Sequence, residues 1–117
     1  MTHPRISEAV PRQLLKWRIH RGLTTQRLAA MMEELGEPLH ASAITKVERG
    51  DRKVSLDEVF AFAAALAVPP VLLLVPLDGK ESRLRVTDKS EIHPHLVLDW
   101  ITAVSYTHLT LPTIYSV

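Results

Sequence analysis

Four stop signals, each followed within a few residues by a fresh helix start, constrain this chain more than any other feature. They are Gly22, Gly36-Glu37-Pro38, Gly50-Asp51 and Pro69-Pro70. Between them the apolar residues recur at intervals of three or four, so each run is a short amphipathic helix that must bury its stripe against its neighbours. Pro11 to Arg21 carries Val10, Leu14 and Trp17 in one stripe and predicts helix one, with Gly22 just past its last turn. Thr24 is a good N-cap for helix two, whose stripe is Leu28, Ala29, Met32 and Leu35. Ala41 to Arg49 predicts helix three, with Ile44 and Val47 inward. Ser55-Leu56-Asp57-Glu58 has the form of a capping box and opens helix four, Leu56 to about Ala67. Pro69-Pro70 opens a short fifth helix, Val71 to Val75, because proline suits a first turn and not an interior.

A chain of 117 residues is one domain with room for a small appendage. At 46% hydrophobic and 23% charged residues it has the composition of a folded globular protein. The absence of cysteine excludes a disulfide framework and a zinc site with Cys ligands, and fits a cytoplasmic setting. The formal charge of +1 gives no bulk field that would demand a polyanion, so any nucleic-acid surface must be local. The first residues, MTHPRISEAVPRQ, lack the apolar stretch of a secretory signal. Val59 to Leu77 is uncharged over 19 residues, close to a membrane span in length, yet Pro69-Pro70 at its middle and the capped helix at its start exclude a membrane role.

The segments RGLTTQRLAAMM, ASAITKVERG and SLDEVFAFAAALAV resemble, in order, the Cro and lambda-repressor-like helix-turn-helix family, also called the XRE family. The resemblance covers Val10 to about Val75. It implies an all-α, five-helix lambda-repressor-like fold in which helices two and three form the helix-turn-helix, here followed by a short strand-helix extension. Double-stranded DNA is the implied partner, bound by a homodimer. The expected division is an N-terminal arm at 1–9, the DNA-binding domain at 10–76, the extension at 77–102 and a tail at 103–117.

Helix three can also be read from its own wheel. At about 100° per residue, placing Ile44 at zero puts Val47 near 300° and Glu48 near 40°, on one inner face. Ser42, Thr45, Lys46 and Arg49 fall on the opposite face, where short hydroxyls and long cations suit base edges and phosphates in a major groove. The resemblance assigns base reading to Ser42, Thr45 and Lys46. Phosphate contacts are expected from Thr25, Gln26, His40, Arg49, Arg52 and Lys53, with a helix-capping role open for His40. Family members often place Gln at the start of helix two, where this chain has Thr25 with Gln26 one place later, and Ala41 has no polar group at a common reading position. The stretch between helices two and three is about five residues longer than the usual tight turn, so helix two is expected to run on, with its acidic end, Glu33 to Glu37, turned away from DNA. Arg18 and Glu48 occupy positions that in this family resemble a partly buried ion pair.

The other features point to no chemistry. His93-Pro94-His95 lacks a third or fourth ligand at a metal-site spacing. No phosphate-binding Gly loop, nucleophile elbow or H-E-x-x-H is present, so neither an enzyme nor a cofactor is expected. Helix four is apolar all round: Leu56, Val59, Phe62, Ala63 and Leu66 are expected in the core, leaving Phe60, Ala61, Ala64 and Ala65 for a second subunit or the segment after Pro76 to cover. In that segment Leu84 to Thr87 reads as a strand and His95 to Thr102 as a helix, with Trp100 as an aromatic anchor. The run SYTHLTLPTIYSV, Ser105 to Val117, resembles a translated sequencing adapter and is expected to be non-native, with few buried contacts; a real strand pairing with Leu84 to Thr87 is the alternative. The function expected is a sequence-specific transcriptional regulator, a repressor. The alternative is the antitoxin of a toxin pair, a protein-interaction module with autoregulatory DNA binding.

Overall fold

The computed structural model describes residues 3–79 and 83–103. Six helices and one hairpin follow in the order α1 (Ile6–His20), α2 (Thr25–Glu34), α3 (Ala41–Glu48), α4 (Leu56–Leu66), α5 (Val71–Leu74), β1 (Leu84–Thr87), β2 (Ser90–Ile92) and α6 (Pro94–Thr102). The caps read from sequence close the helices as their chemistry requires. Thr24 Oγ1 accepts the Arg27 N–H at 3.1 Å, and Ser55 and Glu58 exchange bonds of 3.1 and 2.9 Å at the start of α4. Gly36, at φ 82°, ends α2 while the Glu37 N–H bonds the Met32 carbonyl at 3.0 Å.

The first helix begins at Ile6, five residues before the start that Pro11 suggests. Pro11 is buried inside α1, where its missing N–H leaves only the Ser7 carbonyl without a helical donor, and Ser7 is exposed to water. The Glu8 carboxylate caps the new start by accepting the Arg5 N–H at 2.9 Å. The extra turn forms because Ile6 and Ala9 have apolar neighbours to meet in the segment after Pro76.

Two apolar clusters result. The larger holds Leu14, Leu28, Met32, Ile44, Val47, Phe62, Leu66 and Leu73, and joins all five helices of the helix-turn-helix region. The smaller holds Ala9, Val75, Leu84, Ile92 and Val97, and fastens the extension to the start of α1 and the end of α5. β1 lies where the sequence places it, but its antiparallel partner is β2, an element the sequence reading lacks, with Leu84 opposite Ile92 and both side chains buried. Residues 3–5 add an edge to this hairpin: the Arg85 N–H donates to the Pro4 carbonyl at 2.8 Å, and Arg85 Nε to the His3 carbonyl at 2.9 Å. The tail expected to be non-native, 105–117, and its alternative pairing with β1 lie outside the described residues.

Among the described residues the extension therefore packs on α1 and α5 and not on α4's second face. Two assignments on α4 change. Leu56, expected in the core, is 68% exposed because it stands on the first turn, past the end of the packed region; Ala61 and Ala65 are buried, because α4 lies against α2 as well as α1. Trp100 is half-buried on α6. Among the described residues no helix is long and apolar enough to cross a membrane.

Candidate nucleic-acid interface

The candidate interface is built on α3, and α3 is held by its inner face. Ile44 and Val47 are completely buried, and Glu48, one step along, carries a carboxylate that is largely shielded from water. Arg18 of α1 meets it with a two-pronged bond, Nε to Oε2 at 2.6 Å and Nη2 to Oε1 at 3.0 Å, and uses its remaining prong on the Leu23 carbonyl at 2.8 Å. The side chains are 15% and 7% exposed, so the pair is largely desolvated. The Glu48 hydrogen bond holds the Arg18 guanidinium above its ordinary pKa, firmly charged, against the opposing effect of burial. α3, α1 and the joint before α2 are thus fixed together through one guanidinium.

The outer face has no such ties. Ser42, Lys46 and Arg49 are exposed on one strip. Thr45 is half-buried, and its hydroxyl donates to the Ala41 carbonyl at 3.2 Å, which leaves its oxygen lone pairs as acceptors toward a donor on a base edge. His40 is the N-cap of α3 with no side-chain capping bond, so its exposed imidazole is not used in closing the helix. At the start of α2, Thr25 is half-buried with its hydroxyl on the Gln26 side-chain carbonyl at 3.3 Å, and Gln26 is exposed.

Arg52 differs from Lys53. Its guanidinium bonds both Glu58 oxygens, at 3.1 and 3.0 Å, and the Lys53 carbonyl at 3.2 Å, so much of its charge is already matched within the chain. Lys53 and Arg49 are exposed cations at the end of the strip. α2 does run on to Glu34, but its acidic end is not wholly turned away: Glu33 lines the cleft between α2 and α3 together with Gln26 and His40. The cause is the turn Leu35–His40, whose Pro38 and Leu39 line the same cleft.

Several contacts here had no sequence signal. Arg21 donates to the carbonyls of Leu66 and Ala67 at 2.8 and 3.0 Å and so closes the end of α4 from a position 45 residues away. Gln13, only 4% exposed, reaches the Leu72 carbonyl at 3.4 Å and ties α1 to α5. The His93-Pro94-His95 run is a helix start: His93 Nδ1 accepts the His95 N–H at 3.2 Å and the two rings stack 5.4 Å apart.

Residues 14–73 match the Helix-turn-helix family of XRE type, which is half of the chain, and the chain belongs to that family. Membership makes it a DNA-binding regulator by class. Among solved structures it is similar to the restriction-modification controller protein C.AhdI from Aeromonas hydrophila, at 33% identity over 55% of this chain and 86% of that one, with a TM-score of 0.49. It is also similar to a hypothetical transcription factor, NHTF, from Neisseria, at 22% identity over 66% and 86% of the two chains, with a TM-score of 0.53, a likeness of fold. No curated protein matches the chain.

Proposed function

We propose that the chain is a sequence-specific transcriptional repressor that binds a two-fold DNA site as a homodimer, with one α3 in each of two major grooves about one helical turn apart. The observation that carries this reading is the contrast between the two faces of α3. Its inner face is fixed by Ile44, Val47 and the Arg18–Glu48 pair, while Ser42, Lys46 and Arg49 stand exposed on the outer one. A rigid helix presenting hydroxyls and cations on one strip is what reading a groove requires.

Ser42, Thr45 and Lys46 read base edges in this account, and Thr25, Gln26, His40, Arg49 and Lys53 bind phosphate, which sets register without reading sequence. Arg52 orders the turn that carries Lys53 more than it binds DNA, since Glu58 holds it. Residues 10–76 are the DNA-binding domain, 77–102 brace it from behind, and the protein acts in the cytoplasm. Selection of bound sequences from a random DNA pool at moderate salt tests the reading. An enriched palindrome supports it, and a pool that stays unenriched refutes it.

A further inference from the structure

Where β1 folds back toward the starts of α1 and α4, the packing leaves an open cavity of about 310 Å³. Its walls are Val10 of α1, Val54 and Val59 on either side of the α4 cap, Leu74 of α5 and Val86 of β1, with the exposed Leu56 among them. The two apolar clusters thus meet around a space that neither fills. Folded interiors leave few voids of this size, and the volume lies at the small end of the range of about 300 to 1,000 Å³ found for small-molecule sites.

The polar part of the lining carries one sign of charge. Arg5, Ser7 and Arg85 supply it, and no carboxylate belongs to it. Residue 5 pairs with residue 85 in a parallel bridge, which sets two guanidinium groups on neighbouring strands, where like charges repel. Arg85 is already matched, with Nη1 on Asp88 at 2.9 Å and Nη2 at 3.6 Å from Glu8. Arg5 is not: it makes no ion pair among the described residues, so one positive charge remains over at the edge of an apolar space. A monoanion balances that single charge, whereas a doubly charged phosphate would also meet Glu8 and Asp88 close by. A planar carboxylate suits the guanidinium fork best.

We infer that this cavity binds a small amphipathic carboxylate, a medium-chain acyl anion whose tail lies against Val10, Val59, Leu74 and Val86 and whose carboxylate takes a two-pronged bond from Arg5. The valines and Leu74 supply affinity for the tail, and the guanidinium fixes which end faces water. The site stands apart from the outer face of α3. A chain that bound such an anion and no DNA would keep this inference and lose the reading above.

Isothermal titration calorimetry of the full chain tests it, with sodium octanoate below its micelle concentration as the probe. Octanoate should bind one per chain, 1-octanol should bind about tenfold more weakly or worse for want of the charge, and acetate should not bind for want of the tail. Arg5 is exposed, so Arg5→Gln should leave the fold intact, weaken octanoate about tenfold or more and leave octanol unchanged, a split that a merely destabilised protein would not give. Val86→Trp should fill the cavity and abolish binding of both. Leu56→Glu, at an exposed position, should repel octanoate alone and decides the matter if Val86→Trp fails to fold. No binding of octanoate, equal binding of octanoate and octanol, or octanoate affinity unchanged in Arg5→Gln overturns the inference.

Discussion

At the scale of single residues, Arg18 and Glu48 carry the most weight, because a largely buried carboxylate without its partner is far more costly than a surface charge. Arg18→Ala should lower stability by about 3 to 5 kcal/mol in denaturant unfolding, whereas a loss of about 1 or less would mean the pair behaves as if exposed. Arg18→Met combined with Glu48→Leu should recover most of that loss, since it removes both charges and keeps the volume. The burial of Ile44 and Val47 was legible in spacing alone. The Arg18–Glu48 partnership was legible only through the family resemblance, for nothing in the sequence between them connects the two. Arg21 on the end of α4 and Gln13 on Leu72 were not legible at all, because each joins a side chain to a backbone carbonyl, and every residue offers one of those.

At the scale of elements, the helices announce their ends through specific chemistry, which is why their boundaries could be read. Glu58 serves α4 twice, accepting the Ser55 N–H and holding the Arg52 guanidinium, and the Arg52 hydrogen bond keeps its carboxyl below the usual glutamate range against the effect of burial. A depressed folded-state pKa stabilises above the unfolded value, and that contribution is lost as pH falls through the folded one. Acid unfolding should therefore show a loss of about 1 kcal/mol as pH drops below the usual glutamate range, and Glu58→Gln should flatten it; an identical profile in the variant would contradict the assignment. Ala67 ends α4 in the left-handed region at φ 55°, where a Cβ is unfavourable. Ala67→Gly should raise stability by about 0.5 to 1 kcal/mol in thermal melting, and no gain would place the strain elsewhere. α1 is the element whose start the sequence concealed. Pro11 looks like an opening residue, and only the second cluster, assembled from residues more than 60 positions later, draws Ile6 and Ala9 into the helix.

At the scale of the whole molecule, the extension packs into one body with α1 and α5 of the helix-turn-helix region. Ile92 is fully buried against Ala9, Val75, Leu84 and Val97, so Ile92→Ala should lower stability by about 2 to 5 kcal/mol and shift one cooperative transition. A separate early transition would instead make residues 83–103 an independent appendage. β2 escaped the sequence reading because three residues beginning Ser90-Glu91 show no alternation until Leu84 supplies a buried partner for Ile92. The central claim remains that α3 reads bases while its surroundings grip phosphate. It is tested most directly by measuring the affinity of the wild type, Lys46→Ala and Lys53→Ala for the selected site and all its single-base variants, across a range of salt. Lys46→Ala should lose discrimination at one or two base pairs, typically about 1 to 3 kcal/mol each, while Lys53→Ala should weaken every sequence alike and reduce the salt dependence. Uniform, sequence-blind losses from both would show that α3 does not lie in the groove.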